Sequence, residues 1–131
     1  MIVLDTNALI WWISNSEKLS RRARKTIEEA EKKKAIYISS ISVLEIYTLV
    51  KKNKLKFNIL ADNWLEKVES LPYVNFVSMD NKIAVQSVNL PDFLHKDPAD
   101  RIIIATALNL GAKLITSDQK IINYKKVQTL W

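Results

Sequence analysis

The residues of this sequence best placed to do chemistry are carboxylates at predicted boundaries between strands and helices. They are Asp5, Glu45, Asp97, Asp100 and Asp118. Carboxylates within a few ångströms of one another repel, and some of them take up protons unless a cation lies among them. An all-oxygen set of ligands suits Mg²⁺ or Mn²⁺ rather than zinc, which prefers histidine or cysteine. The pattern therefore indicates a divalent metal centre.

Each acid also has an ordinary structural explanation. Ser42 and Glu45 have the Ser-x-x-Glu spacing of a helix capping box. Aspartates open turns, cap helices and complement the positive end of a helix dipole. Glu45 argues against a purely structural explanation, because Leu44 and Ile46 flank it. A carboxylate on an apolar stretch of helix is costly unless it is paired or bound to a metal.

Other common catalytic devices are excluded by composition. His95 is the only histidine and Gly111 the only glycine, and there is no cysteine. A serine–histidine–aspartate triad is therefore not supported, and a single glycine excludes a phosphate-binding Walker loop and a Rossmann fingerprint. A metal-bound water needs no histidine base, because the cation lowers the pKa of the water and neutralises charge on a phosphate.

The sequence carries a positive charge excess that has two explanations. Its 20 Lys and Arg residues outnumber 14 Asp and Glu residues, which gives a net charge of +6. This excess is either a solubilising surface or an attraction for a polyanion such as nucleic acid. Basic residues concentrate in the segment 21–34 and in a cluster formed by Lys51, Lys52, Lys54 and Lys56. Metal-binding acids beside basic clusters favour hydrolysis of a phosphodiester.

Short strands that alternate with helices must position these acids. The apolar pattern predicts strands at 2–4, 35–38, 74–77 and 113–115, and a last one around Val127. It predicts helices at 8–13, 19–34, 43–54, 58–70, 81–89 and 98–110, with Leu60, Trp64, Leu65 and Val68 as the inner stripe of the fourth. This alternation predicts one α/β domain over residues 1–131: a three-layer sandwich with a central, mostly parallel sheet of four to five strands.

Two features of the chain indicate the compartment of the cell in which the protein is found. The N-terminal segment lacks the basic start of a signal peptide and meets Asp5 early. No apolar run approaches the roughly 18 residues needed to cross a membrane. A cytoplasmic protein without a membrane partner is expected.

The helix predicted at 98–110 is the centre of the core. Pro98 begins it, Gly111 follows its end, and its body is apolar almost all round, which is typical of a buried helix. In a parallel sheet, ligands bind outside the carboxyl ends of the strands. Asp5 and Asp118 follow the first and fourth strands, so we expect the acids to gather at one edge of the sheet. Spacing alone does not choose between Asp97 and Asp100 as a ligand.

Four motifs carry a resemblance to a known family. They are IVLDTNALIWW, ISSISVLEI, HKDPADRIIIATAL and LITSDQKI, and in this order they resemble the PIN-domain ribonucleases of the VapC toxin type over the whole chain. The resemblance implies Mg²⁺ or Mn²⁺ held by four catalytic acids: Asp5, Glu45, Asp100 and Asp118. It makes Asp97 a helix cap with a supporting role. It also implies supporting roles for Thr6 or Asn7 and for Thr116 or Ser117.

The resemblance further implies an endoribonuclease that cleaves RNA, forms a homodimer and is inhibited by a cognate antitoxin whose tail wraps near the acidic groove. Two alternatives remain open. One is a non-catalytic RNA- or partner-binding module whose acids only cap helices. The other is a receiver-like phospho-acceptor domain, which needs a pair of acids after the first strand, where Asp5 stands alone.

Overall fold

The computed structural model describes residues 1–93 and 95–131, and within them five strands form one parallel sheet. The strands are β1 (Ile2–Leu4), β2 (Ile36–Ser39), β3 (Val74–Val77), β4 (Lys113–Ile115) and β5 (Thr129–Leu130). Their order across the sheet is β3-β2-β1-β4-β5, and every neighbouring pair is parallel. The predicted α/β architecture and strand number are confirmed.

Helices cover both faces of the sheet. They are α1 (Thr6–Ile13), α2 (Arg21–Lys32), α3 (Ser40–Lys51), α4 (Ala61–Glu69), α5 (Asn81–Val88), α6 (Pro98–Leu110) and α7 (Gln119–Ile122). Successive side chains of β1 point to opposite faces. Leu4 packs in a core cluster with residues of α1 to α4, whereas Val3 packs with residues of α6 and α7. The molecule therefore has the three predicted layers.

Helix α6 is buried along its middle and closed at both ends as its sequence predicts. Asp97 is its N-cap and Pro98 its first residue. Gly111 ends it with φ of 63°, the left-handed conformation that a side chain disfavours. Ile103 and Ile104 are fully buried against the sheet. The helix therefore holds its first turn against a rigid core.

Two helices begin earlier than predicted, and in both cases a preceding side chain caps the helix. Helix α1 begins at Thr6 and not at residue 8, because the Asp5 carboxylate accepts a hydrogen bond from the Ala8 amide at 2.8 Å. Helix α3 begins at Ser40 and not at residue 43, because Ser39 is its N-cap. The capping box expected of Ser42 and Glu45 is therefore absent.

Other predictions also differ from the structure. Helix α4 begins at Ala61, and Leu60, expected in its inner stripe, is 75% exposed. The short helix α7 was not expected, since its four residues are too few to show a helical period. The last strand starts at Thr129, whereas Val127 packs as a buried residue outside it.

The strand order creates a crevice at the end of β1. From β1 the chain steps outward through β2 and β3, and it then crosses to β4 and β5 on the other side of β1. The carboxyl ends of β1 and β4 therefore flank the point where the strand order reverses, which is the usual ligand site of such sheets. Across residues 1–93 and 95–131, no helix has the length and apolarity needed to cross a membrane.

Candidate active site

Four acids from four different segments surround the crevice. Asp5 follows β1, Glu45 lies in the second turn of α3, Asp100 lies in the first turn of α6, and Asp118 follows β4. The negative charge of Asp100 raises the pKa of both Asp5 and Glu45, and that of Asp118 raises the pKa of Asp5 and Asp100. The structure therefore brings Asp100 into electrostatic reach of the other three predicted acids.

Asp5 is the most buried of these acids, with 6% of its surface exposed. Burial is the largest influence and raises the pKa of Asp5 to about 6, because desolvation disfavours the charged form. Hydrogen bonds from the Thr116 hydroxyl and the Ala8 amide oppose that rise, and the charges of Asp100 and Asp118 add to it. The charged form of Asp5 is therefore a buried negative charge at the carboxyl end of β1, the central strand of the sheet.

Glu45 is held by a hydroxyl from α1. The Thr6 hydroxyl donates a hydrogen bond to Glu45 Oε1, and the Thr6 and Ser42 hydroxyl oxygens lie 2.9 Å apart. Burial raises the pKa of Glu45, and the hydrogen bond from Thr6 partly offsets the effect. Of the two predicted supporting positions in this segment, Thr6 contacts an acid, whereas the Asn7 side chain is exposed. Ser42, whose role as a cap proved wrong, orients Thr6 instead.

Asp118 combines a capping role with a place in the site. Its Oδ1 accepts a hydrogen bond from the Lys120 amide at 2.9 Å, and it is the N-cap of α7. The Thr116 hydroxyl accepts from the Asp118 amide at 3.1 Å while it also hydrogen-bonds to Asp5. Thr116 is fully buried and links the two acids, whereas Ser117 is half-buried.

The start of α6 separates the roles of Asp97 and Asp100. Asp97 Oδ1 accepts from the Ala99 amide at 2.9 Å, so Asp97 is a cap. Asp100 Oδ2 lies 2.7 Å from Nε2 of His95. Burial raises the pKa of Asp100, and the hydrogen bond with His95 partly offsets the effect. The predicted site does not include His95. The sequence does carry a signal for its contact with Asp100, because Pro98 begins α6 between these two residues and both therefore lie near the first turn of that helix.

Arg101 holds the segment that carries His95. Its guanidinium donates hydrogen bonds to the carbonyl oxygens of Ser87, Val88, Phe93 and His95, at 2.8 to 3.0 Å. The guanidinium carbon also lies 5.5 Å from the centre of the Phe93 ring. One side chain on α6 therefore ties the end of α5 and the following loop to the helix that presents Asp100.

The donor set fits a hard divalent cation. Over residues 1–93 and 95–131, no lysine or arginine forms an ion pair with Asp5, Glu45 or Asp118. Asp5, Glu45 and Asp100 each have a raised pKa. Crowded carboxylates gain from a cation among them, and their oxygens suit Mg²⁺ or Mn²⁺. In the same part of the chain, the three-residue group whose ligand atoms lie within 4.8 Å of one another is His95, Asp97 and Asp100. Asp5, Glu45 and Asp118 are less closely drawn together.

We expect the substitution Asp5→Asn to stabilise the metal-free protein at neutral pH. The folded-state pKa of Asp5 lies above its ordinary value of 3.8, so the unfolded chain gives up this proton first as the pH rises. The charge of Asp5 therefore lowers the free energy of unfolding of the wild-type protein. This loss grows between about pH 4 and pH 6 and reaches about 3 kcal/mol above that range. Asparagine carries no charge and still caps α1.

Urea unfolding in EDTA measures this effect. The excess free energy of unfolding of Asp5→Asn should be largest near pH 7.5 and should disappear towards about pH 4. An Asp5→Asn protein that is less stable than the wild type at every pH would show that Asp5 is not a buried, uncompensated charge.

We expect the substitution Arg101→Lys to loosen the segment between α5 and α6. Lysine keeps the charge but cannot direct donors at four carbonyl oxygens, so the free energy of unfolding should fall by about 2 kcal/mol. Limited proteolysis should cut between residues 89 and 97 faster than in the wild type. Arg22→Lys, at an exposed position of α2, is the matched control. Equal behaviour of the two variants would contradict the structural role of Arg101.

Comparisons with known proteins agree with this architecture. Ribonuclease VapC22 of Mycobacterium tuberculosis is 29% identical over 132 residues, which cover 99% of this chain and 98% of that protein. Among solved structures, VapBC2 from Rickettsia felis bound to a promoter DNA fragment has a TM-score of 0.74 at 22% identity, covering 99% of this chain and 98% of that one. A toxin–antitoxin complex from Klebsiella pneumoniae has a TM-score of 0.59 at 27% identity, covering 92% and 88%.

The family itself follows from the sequence match. The family model of the PIN domain matches residues 2–127, which include the first four strands and all four acids of the crevice. This chain belongs to the PIN domain family.

Proposed function

We propose that this protein is a metal-dependent endoribonuclease that hydrolyses RNA phosphodiester bonds and acts as the toxin of a toxin–antitoxin pair. The observation that carries the proposal is the set of four acids without lysine or arginine partners, among the described residues, at the crevice of a PIN domain. The likeness to Ribonuclease VapC22 supports cleavage of RNA, and the likeness to toxin–antitoxin complexes supports an antitoxin partner.

Asp5, Glu45, Asp100 and Asp118 would hold Mg²⁺ or Mn²⁺. When bound, such an ion activates a water molecule and neutralises charge on the phosphate. The protein's own contribution is to fix the carboxylates: Thr116 holds Asp5, and Thr6 holds Glu45. Rigid elements that present such groups keep them in one geometry, which metal catalysis requires.

Lysines flank the acids on two sides. A cavity of about 230 Å³ beside Glu45 is lined in part by Lys52 and Lys54, and Lys96 and Lys120 line a larger one beside Asp100 and Asp118. Acids that bind a cation and lysines that bind phosphates give the crevice both parts that RNA hydrolysis needs. We further propose that two copies form a homodimer and that a cognate antitoxin covers this groove.

The non-catalytic alternative has a specific observation in its favour. Asp5, Asp97 and Asp118 do cap helices, as a purely structural explanation requires. Glu45 and Asp100 distinguish the two proposals, because neither caps a helix and each carboxylate instead meets a polar side chain in the crevice. A structural explanation leaves the half-buried charge of Glu45 without a purpose, and it gives Asp100 only a favourable place at the positive end of the α6 dipole.

We expect purified protein to cleave single-stranded RNA with Mg²⁺ or Mn²⁺ and to stop when EDTA is added. Glu45→Gln and Asp100→Asn should each lower the cleavage rate on the order of 100-fold or more, because each removes a charged ligand. Asp80→Asn is the control, since it removes the charge of an exposed acid that caps α5.

Two results would contradict the proposal. Cleavage that persists in EDTA would exclude a metal-dependent reaction. RNA binding that survives in a variant lacking all four acids, together with no cleavage by the wild type in Mg²⁺ or Mn²⁺, would favour the binding module.

A further inference from the structure

A cavity of about 550 Å³ adjoins the acidic crevice. It is lined by Phe93, His95 and Lys96 from the segment before α6, and by Lys120, Asn123 and Tyr124 at α7 and just after it. The volume lies within the range of sites that hold a small organic molecule. The two segments that line it are the ones that carry Asp100 and Asp118.

Two residues that line the cavity also contact candidate metal ligands. His95 contacts Asp100 through its Nε2 atom at 2.7 Å, and its ring also lines the cavity. The Lys120 amide donates to Asp118, and Lys120 is itself a lining residue. A molecule in this cavity therefore lies next to the acids.

The lining divides into an apolar floor and a charged rim. Phe93 and Tyr124 are nearly buried and pack together with ring centres 4.7 Å apart. The Phe93 ring also meets the His95 ring nearly at a right angle, with centres 5.8 Å apart. Lys96 and Lys120 are exposed at the rim. The remaining rim acid, Asp92, lies 3.8 Å from Lys126, which offsets its charge.

We propose that this cavity binds one unpaired nucleotide of single-stranded RNA, next to the phosphodiester that is cleaved. Its base lies against the aromatic floor, its phosphate meets Lys96 and Lys120, and the exposed Asn123 amide meets the base edge. Proteins that recognise RNA by sequence use these elements on single strands, where bases are free to stack on aromatic rings. The inference rests on the proposed ribonuclease function and assigns it a specificity site.

A protein side chain fits the cavity less well than a nucleotide. Two lysines at the rim and aromatic rings at the floor match a group that joins an anion to a flat ring, which is the chemistry of a nucleotide. Asn123 already pairs with Gln119, because its Oδ1 accepts from Gln119 Nε2 at 2.8 Å. That contact fixes the orientation in which the Asn123 amide group faces the ligand.

The first arm of the test measures nucleotide binding without catalysis. The isotope-labelled full chain is titrated in EDTA with AMP, CMP, GMP and UMP, and backbone amide shifts are followed by NMR. We expect shifts at Phe93, Lys96, Lys120 and Asn123. Asn123→Ala and Lys120→Ala should each weaken binding about fivefold, the effect of one lost hydrogen bond or charge contact. Alanine at position 120 keeps the backbone amide that Asp118 needs.

Lys67→Ala on α4 is the control, because α4 packs at β3, the far edge of the sheet from β4 and β5. It should leave nucleotide binding unchanged. Circular dichroism melting of every variant separates a loss of binding from a loss of fold.

The second arm maps cleavage sites on a single-stranded RNA of random sequence with Mg²⁺. Asn123→Ala should change the base preference at one position beside the cut while cleavage continues. Unchanged preference in Asn123→Ala, or nucleotide shifts confined to residues outside the cavity, would overturn the inference and leave the ribonuclease proposal standing. Nucleotide binding at the cavity in a protein that cleaves no RNA would support the site and overturn the ribonuclease function.

Discussion

The candidate metal site depends on a buried negative charge at the end of the central strand. Asp5 is almost inaccessible, and in the described residues no lysine or arginine pairs with it. The charge is tolerated because the N-terminus of α1 and the Thr116 hydroxyl donate hydrogen bonds to it, and it still carries a raised pKa. A buried charge of this kind is costly unless something offsets it, and we propose that a divalent cation held with Glu45, Asp100 and Asp118 would do so.

Capping and metal binding are compatible uses of the same side chain. A cap occupies one carboxylate oxygen with a backbone amide, as Asp5 and Asp118 each do through Oδ1. The second oxygen remains available to a ligand, and the cap holds the side chain in one orientation. Asp5 and Asp118 therefore need no other support, because the helix that each of them caps holds its side chain in place. Glu45 and Asp100 lack this support and rely on Thr6 and His95.

Much of this arrangement is predictable from sequence, and the contacts missed within the site have a common cause. Alternating short strands and helices predicts the parallel sheet, and the end of a strand predicts where Asp5 and Asp118 lie. Local sequence patterns do not predict contacts between residues that are far apart in the sequence. Thr6 and Glu45, which form a hydrogen bond, are separated by 39 positions. Ser42 illustrates the error that results, because its spacing to Glu45 predicts a local cap, whereas its hydroxyl meets Thr6. The choice between Asp97 and Asp100 likewise depends on where His95 folds back.

We propose that the acids at the crevice together bind a divalent metal ion. Anomalous diffraction from crystals of the wild-type protein soaked in Mn²⁺ locates such an ion, because manganese scatters anomalously and the peak marks its position. We expect a peak in the crevice contacted by the carboxylates of Asp5 and Asp100, with Glu45 or Asp118 completing the site. A crevice without a peak at saturating Mn²⁺, or an ion held only by His95 and Asp97, would contradict it.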